Sequence, residues 1–323
     1  MQYRKIGKWG VKVSEVALGS WLTYGGTVEE KNSIKQIHHA FEQGINFFDT
    51  ANVYAHGASE VVVGKALKNM KRESCFIGTK VFFPMGEGPN DKGLSRKHVV
   101  EQCHASLKRL NLDCIDLLQC HRFDPEVPME ELVRTMDDLT RQGKILYWGV
   151  SEWSGSQIED AYRVADLLNA PPPISNQPCY NMLTRNIEAS VMPTCERLGV
   201  GQVVFSPLAQ GVLTGKYAPG KAIPADSRAA DSRVNMFMMG RSLMSDETLQ
   251  RVEKLKAVAD EEKLTLSQVA LAWCLRTNNV ASVIIGATKT SQIDENVKAA
   301  GVRLTSDAMS KIESILGQVS ARH

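Results

Sequence analysis

The amino-acid sequence predicts an α/β protein of the closed (β/α)8, or TIM barrel, class. Its 323 residues suit such a barrel, which takes roughly 250 residues and more with insertions. Eight short apolar runs alternate with helix-length segments whose apolar residues are spaced three and four apart. This alternation favours a parallel sheet. Eight strands favour closure over the alternative, an open doubly wound sheet, because a closed sheet has no edge strand to protect.

The eight runs are rich in β-branched or aromatic residues, as buried strands are. Between them, Val99, Cys103 and Leu107 show the spacing of an amphipathic helix. In chain order the predicted strands are EVALGSW (15–21), INFFDTA (45–51), CFIGTKVFF (75–83), IDLLQCHR (115–122), YWGVSEW (147–153), ISNQPCY (174–180), QVVFSPL (202–208) and SVIIGAT (282–288).

Two segments lie outside this repeat. The opening YRKIGKWGVKVSEV alternates around Gly10 and predicts a small β-hairpin ahead of the barrel. Between the seventh and eighth strands stand the Gly/Pro/Ser/Arg-rich stretch QGVLTGKYAPGKAIPADSRAADSR and two amphipathic helices, around 246–262 and 266–277. This insertion is longer than a loop that only connects two elements needs to be, so we expect it to fold over a ligand. No second domain is predicted, and 1–323 is interpreted as one barrel domain.

Composition excludes several classes of protein. With 43% hydrophobic residues, 23% charged residues and a net charge of +2, neither disorder nor a nucleic-acid-binding surface is expected. The seven cysteines form no C-x-x-C pair and lie in apolar segments, which is typical of free thiols in a reduced cytoplasm. The N-terminus lacks an apolar signal region, and no apolar stretch of about 18 residues occurs. We therefore expect a cytoplasmic protein with no membrane span.

The predicted strands end in polar residues, and in such barrels the catalytic groups lie at the C-terminal strand ends. Each residue has an ordinary alternative: Asp49 could cap a helix, Lys80 could be solvated, and His121 could be a satisfied core histidine. Their coincidence at one mouth favours a functional site. The polar strand ends are Ser20, Asp49 with Tyr54 five residues on, Lys80, His121, Ser151, Asn176, Gln177, Ser206 and Thr288.

Four of these residues form a coherent acid catalyst. A tyrosine with a pKa of about 10 is a poor proton donor near neutrality, but an adjacent ammonium, Lys80, would favour the phenolate of Tyr54 and lower that pKa. A buried ammonium needs a carboxylate, which Asp49 on the neighbouring strand can supply. His121 could donate to the same substrate oxygen and orient it. Such a site would protonate an oxygen while another group delivers hydride to the carbon.

Motifs along nearly the whole chain resemble the aldo-keto reductase superfamily. They are GINFFDTANVYAHGASEVVVG, the lysine of FIGTK, the histidine of LLQCHRFDP, WGVSEWS, NQPCYN, FSPLAQGVLTGKY and VIIGATKTSQIDEN. The segments GSWLTYGG, GLSRKHVVE, PMEELVR and AWCLR make the chain most similar to the branch of the potassium-channel beta subunits and their bacterial and plant relatives.

The resemblance implies a barrel that binds NADPH in extended form and reduces aldehydes or ketones to alcohols. It also implies the catalytic tetrad Asp49, Tyr54 as general acid, Lys80 and His121. The chain agrees in lacking a G-x-G-x-x-G after any predicted strand and a P-loop. No metal site is expected, because His38–His39 lies on a helix and Cys120 and His121 point to opposite faces of a strand.

The resemblance also places the coenzyme. Phe205 would stack on the nicotinamide, Ser206 to Gly211 would run beside the pyrophosphate, and Lys289 would favour the 2′-phosphate of NADPH at a helix N-terminus. The implied coenzyme-binding residues are Ser20, Trp21, Asp49, Ser151, Gln177, Phe205, Ser206, Pro207, Leu208, Gln210, Gly211, Lys216, Arg228, Gly286, Thr288, Lys289, Gln292, Glu295 and Asn296.

The chain departs from the superfamily pattern at two coenzyme positions. Glu152 stands where many reductases have Asn and the channel subunits have Arg. Gln292 stands where many relatives have an Arg for the 2′-phosphate, as in the channel branch. A further near-match, GVSEW, lacks the second Gly of the G-x-S-x-G nucleophile elbow, with Trp153 in its place, which disfavours a hydrolase.

The sequence also gives expectations for the substrate pocket and for the oligomeric state. Trp21, Tyr24, Tyr54, Phe82 and His121 are predicted to line a pocket for a small carbonyl compound, with Trp153 as a further candidate. The alternative to an enzyme is an NADP(H)-binding channel-associated or redox-sensing subunit with little turnover. His121 favours the enzyme, because the animal channel subunits have Asn there. The branch implies a homo-tetramer, whereas many reductases of the superfamily are monomers.

Overall fold

Eight parallel strands close into a barrel, which confirms the fold predicted from the alternating pattern. The computed structural model describes residues 1–26, 28–225, 227–232, 234–235, 238 and 243–317. The closed order is β10-β3-β4-β5-β6-β7-β8-β9, so neighbours in the chain are neighbours in the sheet. The barrel strands are β3 Val16–Gly19, β4 Phe47–Asp49, β5 Phe76–Val81, β6 Ile115–Cys120, β7 Ile145–Ser151, β8 Ser175–Gln177, β9 Gly201–Phe205 and β10 Val280–Ile285.

Helices connect the strands, and several of them begin at a side-chain cap. Ser95 accepts a hydrogen bond from the His98 N–H, while Ser154 and Gln157 form a capping box before Gly155; both satisfy N–H groups that lack partners inside the helix. The helices are α1 Glu30–Glu42, α2 Ala58–Leu67, α3 Arg96–Leu110, α4 Met129–Arg141, α5 Gly155–Leu167, α6 Val191–Leu198, α7 Asp246–Glu261, α8 Leu266–Cys274, α9 Thr290–Asn296 and α10 Ser306–Leu316.

The N-terminal hairpin, β1 Tyr3–Lys5 and β2 Lys12–Ser14, is antiparallel as predicted. Ile6 and Val13 from the hairpin region pack against Phe47, Phe76 and Leu117 of the barrel strands, and all five are buried. The N-terminal half of the barrel interior is therefore apolar. Since side chains alternate along a strand, the next inward positions towards the other end carry the polar residues, which confines the chemistry to one mouth.

The predicted insertion separates β9 from β10. It contains 3-10 turns at Ala209–Thr214 and Arg228–Ala230, followed by α7 and α8, which match the two helices expected from the sequence. Thr265 and Gln268 form a capping box that starts α8. Among the described residues, no helix combines the length and apolarity required to cross a bilayer.

Candidate active site

A buried ion pair joins two neighbouring strands at the C-terminal mouth. The Nζ atom of Lys80 on β5 lies 2.5 Å from Oδ2 of Asp49 on β4, and Lys80 is fully buried. Nζ also donates to the carbonyl oxygen of Thr50 at 2.8 Å and to the hydroxyl of Tyr54 at 3.2 Å. All three ammonium protons thus have acceptors, which offsets the cost of removing the charge from water.

Two amides hold the other carboxylate oxygen of Asp49. Nε2 of Gln177 donates to Oδ1 at 2.9 Å, and Nε2 of Gln119 lies 3.4 Å from the same atom. Gln177 was predicted for the site, whereas Gln119 was not. Strand alternation indicates it, because Gln119 on β6 precedes His121 by two residues and faces the same interior.

Tyr54 begins a tight turn in which Ala55 and His56 both have φ of +49°. Its ring lies below the Lys80 ammonium, with 4.9 Å from Nζ to the ring centroid. Burial raises the pKa of Tyr54 above its ordinary value, outweighing the Lys80 charge, which lowers it. The Lys80 charge thus acts in the direction expected from the sequence, but the net pKa of Tyr54 is raised and not lowered. At neutral pH the phenol is protonated and has a proton to give.

Burial and neighbouring charges also shift the pKa values of Lys80 and His121, which stand beside Tyr54. Although burial is the largest influence on the pKa of Lys80 and lowers it, the contacts with Asp49 and Tyr54 together raise it above its ordinary value, so the ammonium stays charged. His121 follows β6 and is buried; burial first, then the charges of Lys80 and Arg122, hold its pKa well below 6.5. The imidazole is therefore neutral at pH 7. Its ring lies edge-on to the Tyr54 ring, with 5.7 Å between centroids.

Backbone strain concentrates at this mouth. Among the described residues, ten other than glycine have positive φ, a conformation that L-residues adopt at a cost of about 1–3 kcal/mol when nothing local favours it. Three of these, Asn111, Asn169 and Lys263, follow the ends of helices, where a left-handed residue is common. The other seven lie in loops after barrel strands: Leu22, Ala55, His56, Glu152, Ser206, Ala209 and Gln210.

The predicted substrate-pocket aromatics separate into two groups. Trp21 is half-buried, with its ring centroid 6.5 Å from that of Tyr54. Phe82 is half-buried and packs edge-on against Phe83, which in turn contacts the His121 ring at 4.8 Å. Phe83 is thus a wall of the site that no sequence pattern indicates.

Tyr24, Trp153 and Asn176 do not lie where they were expected. Tyr24 belongs to the core between the barrel and its helices, and its hydroxyl donates to Gln36 on α1. Trp153 is buried against the Phe123 ring at 5.0 Å. Since Gln177 faces Asp49, the preceding Asn176 faces the opposite side of the sheet, where it donates to Gln202. The type of a residue near the end of a strand does not show whether its side chain faces the mouth of the barrel or the surrounding core.

Most groups predicted around the nicotinamide have partners within the protein. Ser151 Oγ donates to the Gln177 carbonyl at 2.8 Å, and the Ser20 hydroxyl accepts from Ser59 at 2.7 Å. Glu152, the departure from the superfamily pattern, accepts the Cys179 N–H. Phe205 stands half-buried at the end of β9. These contacts hold the loop backbones, and the Phe205 ring remains partly accessible.

The strained loop after β9 is linked to the insertion by side chains. Gln210 Nε2 donates to Ser206 Oγ at 2.6 Å, and the Arg228 guanidinium donates to the Gln210 amide oxygen. Asn181 Nδ2, which was not predicted, donates to the Ser206 carbonyl at 2.9 Å. Ser206, Gln210 and Arg228 thus form one chain, and the exposed Lys216 follows within the same loop.

The last of the predicted coenzyme-binding residues, from Gly286 to Asn296, lie after β10. Gly286 is exposed, and a side chain there would meet no atom within 4 Å. Oε1 of Gln292 accepts the backbone N–H groups of Thr288 at 2.8 Å and Lys289 at 3.3 Å. Gln292 thus occupies N–H groups that the sequence assigned to phosphate. Two further predicted coenzyme-binding residues lie on α9: Asn296 is buried, and the Glu295 carboxylate accepts from Thr265 at 2.9 Å.

Comparison with known proteins agrees with this geometry. The sequence model described as the Aldo/keto reductase family matches residues 15–317. A probable voltage-gated potassium channel subunit beta of Arabidopsis thaliana is 47% identical over 322 residues, covering 98% of this chain and 97% of the relative. Its counterpart in Oryza sativa subsp. japonica is 45% identical with the same coverage.

A putative voltage-gated potassium channel subunit beta of Schizosaccharomyces pombe is 44% identical over 324 residues, covering 97% of this chain and 93% of the relative. The family match and these relatives extend over nearly the whole barrel, including the strands that carry the buried ion pair. The chain therefore belongs to the aldo/keto reductase family.

Proposed function

We propose that this protein is an NADP(H)-dependent oxidoreductase that reduces aldehydes and ketones to alcohols, with Tyr54 as the general acid. One observation carries the proposal: a protonated phenol lies 3.2 Å from a charge-compensated ammonium at the mouth of the barrel. Beside it stands the neutral ring of His121. An acid, a group that stabilises its conjugate base and a second hydrogen-bond donor are the parts that carbonyl reduction needs.

Each side chain has a defined role in this proposal. The Tyr54 hydroxyl gives its proton to the carbonyl oxygen of the substrate. As the phenol loses its proton, the hydrogen bond from Lys80 becomes charge-assisted and stabilises the phenolate, while Asp49 keeps the ammonium charged. His121 donates to the same carbonyl oxygen and orients it. When bound, a dihydronicotinamide supplies the hydride that the carbonyl carbon receives, which completes the alcohol.

The residues around the mouth suit an extended dinucleotide. Phe205 offers a partly accessible ring, Lys216 and Arg228 offer positive charge, and Gly286 leaves open space at the end of β10. The Ser227 hydroxyl is buried without a partner in the part of the chain that the structure describes, and a phosphate would satisfy it. Lys289 supports NADPH over NADH. These groups would hold the coenzyme without a Rossmann fold.

Replacing Tyr54 with Phe tests the assignment. Tyr54→Phe removes only the hydroxyl, so carbonyl-dependent NADPH oxidation over a panel of small aldehydes should fall about 100-fold or more. NADPH affinity, measured by fluorescence titration, should change by less than about threefold. Tyr162→Phe is the matched control, because that hydroxyl donates to the Pro173 carbonyl on the outside of the barrel. Full turnover in Tyr54→Phe would refute the role.

The names of the relatives favour a second candidate function. Three relatives at 44–47% identity are named as probable or putative voltage-gated potassium channel subunits beta. The alternative is therefore an NADP(H)-binding, channel-associated or redox-sensing subunit with little turnover, assembled as a homo-tetramer. Tight NADPH binding with no carbonyl-dependent oxidation across the aldehyde panel would favour it. Light scattering would distinguish the tetramer from a monomer.

A further inference from the structure

Arg122 directly follows His121 and carries a guanidinium to the mouth of the site. Nη1 donates to the main-chain carbonyl of His121, and Cζ lies 5.5 Å from the centre of the Phe83 ring. The Phe83 ring contacts the His121 imidazole at 4.8 Å, and that imidazole lies 5.7 Å from the Tyr54 ring. A continuous series of packed rings therefore connects the guanidinium to the proposed acid.

Arg122 has no carboxylate partner in the part of the chain that the structure describes. Its guanidinium has five N–H groups, and the described contacts use one of them, for a main-chain oxygen. Four other half-buried arginines form ion pairs: Arg4 with Glu15, Arg72 with Asp116, Arg109 with Glu60 and Arg185 with Glu188. Half-buried Arg228 instead donates to the Gln210 amide oxygen. A half-buried guanidinium without a carboxylate is one that a ligand can complete.

The acids near the mouth are already engaged. Asp49 is paired with Lys80. Glu152, in the loop after the neighbouring strand β7, accepts the Cys179 N–H and forms no ion pair with Arg122. The positive charge of Arg122 is felt at the reacting groups, because after burial and Lys80 it is a further cause of the lowered pKa of His121. The mouth beside His121 therefore favours a negative charge.

We propose that Arg122 binds a carboxylate on the substrate, so that the protein prefers aldehydes and ketones carrying a carboxylate over uncharged carbonyl compounds. The planar fork of a guanidinium matches the two oxygens of a carboxylate. Phe83 holds the fork against its ring, and Trp21 lies on another side of Tyr54. This inference rests on the proposed reductase function and names the substrate class of the same site.

A matched pair of aldehydes isolates the charge. The probes are 4-carboxybenzaldehyde and its methyl ester, which share one ring and one reacting group but differ in charge. We expect kcat/KM for the acid to exceed that for the ester in the natural protein. In Arg122→Gln the acid-to-ester ratio should fall about tenfold or more, the range for a lost hydrogen bond between charged groups. Arg122→Lys should keep part of the ratio, since it retains the charge without the fork.

Arg163→Gln serves as the control for net charge, because Arg163 is exposed on α5 and pairs with Asp160. Its acid-to-ester ratio should equal that of the natural protein. An unchanged ratio in Arg122→Gln, with turnover present, would overturn the inference and leave the reductase function standing.

Binding of benzoate, followed by calorimetry, gives a readout that does not need turnover. Its Kd should rise about tenfold in Arg122→Gln and stay unchanged in Arg163→Gln. Equal benzoate affinity in the natural protein and Arg122→Gln would overturn the inference whatever the turnover. Arg122-dependent benzoate binding without any aldehyde reduction would instead support the carboxylate site and count against the reductase function.

Discussion

Asp49→Asn is expected to be one of the most destabilising single substitutions in this protein. The carboxylate accepts from Lys80 on one oxygen and from Gln177 and Gln119 on the other. An asparagine of the same shape has one acceptor atom and one donor group. Whichever way the amide is turned, one side sets a donor against a donor, and the fully buried ammonium of Lys80 loses its counter-charge.

The expected loss follows from two contributions. A charge-assisted hydrogen bond is worth about 1.5–3 kcal/mol, and a buried charge left without its partner raises the total cost to about 3–5 kcal/mol. Lys80 keeps its bonds to the Thr50 carbonyl and the Tyr54 hydroxyl, which limits the loss to that range. We expect the free energy of unfolding at pH 7 to fall by about 3–5 kcal/mol.

The loss should shrink as the pH rises. In the natural protein the pKa of Lys80 is raised, because its contacts with Asp49 and Tyr54 together outweigh burial. The stability that this raised pKa contributes is therefore fully present at neutral pH and is lost only as the pH rises above about 10. In Asp49→Asn the counter-charge is gone, and burial, which is the largest influence on the pKa of Lys80, lowers it. The unfolded chain then binds a proton that the folded state has released, so the stability of the variant rises with pH before the lysines of the unfolded chain titrate.

Urea unfolding followed by tryptophan fluorescence between pH 6 and 9 measures both effects. Asp116→Asn is the matched control: Asp116 is also buried and pairs with Arg72 at 2.7 Å, but the Arg72 side chain is 34% exposed. Water can solvate that arginine, so the control should lose only about 1 kcal/mol without the recovery at high pH. A loss below about 1 kcal/mol in Asp49→Asn, or one that stays constant with pH, would refute the reasoning.

Three further predictions rest on burial and packing. Because the pKa of His121 is lowered well below 6.5, its ring should show no titration by NMR between pH 6 and 8, and a titration midpoint in that window would contradict the assignment. In the unfolded chain the same imidazole takes up a proton near pH 6.5. His121 therefore lowers the stability of the folded protein as the pH falls below about 6.5. Gly64→Ala should destabilise by about 1–3 kcal/mol in thermal unfolding, because its Cβ would lie 2.5 Å from the Leu110 carbonyl oxygen; an increased Tm, as helix propensity alone implies, would be the opposite outcome. All seven cysteines are free and all but Cys114 are buried, so at most this thiol should react with Ellman's reagent in the native protein, and seven should react in urea.

Much of the fold follows from periodicity. The eight apolar runs correspond to the eight barrel strands, and the alternation around Gly10 corresponds to the hairpin. Strand geometry then brings Asp49 and Lys80 together, because side chains at the ends of neighbouring parallel strands share one mouth. Periodicity predicts the strands because each strand must bury apolar side chains. The spacing of those apolar residues repeats along the sequence and does not depend on the conformation of the loops.

The orientation of side chains in the loops does not follow from periodicity. Tyr24 looks like a pocket residue because it follows a strand, yet it packs into the core beside Gln36. Gln292 is predicted to bind the coenzyme, yet its side chain caps backbone N–H groups of its own loop. Both outcomes depend on a few backbone angles after a strand ends, and no spacing in the sequence records those angles.

The sequence by itself determined the barrel, its hairpin and insertion, and the identity of the four residues that meet at the mouth. Tertiary structure alone decided the protonation of Tyr54, Lys80 and His121 and the place of Arg122 over Phe83 beside them. The physical reason is that side-chain pattern specifies which face of an element is buried, whereas a pKa and an unpaired charge depend on every atom packed around the group.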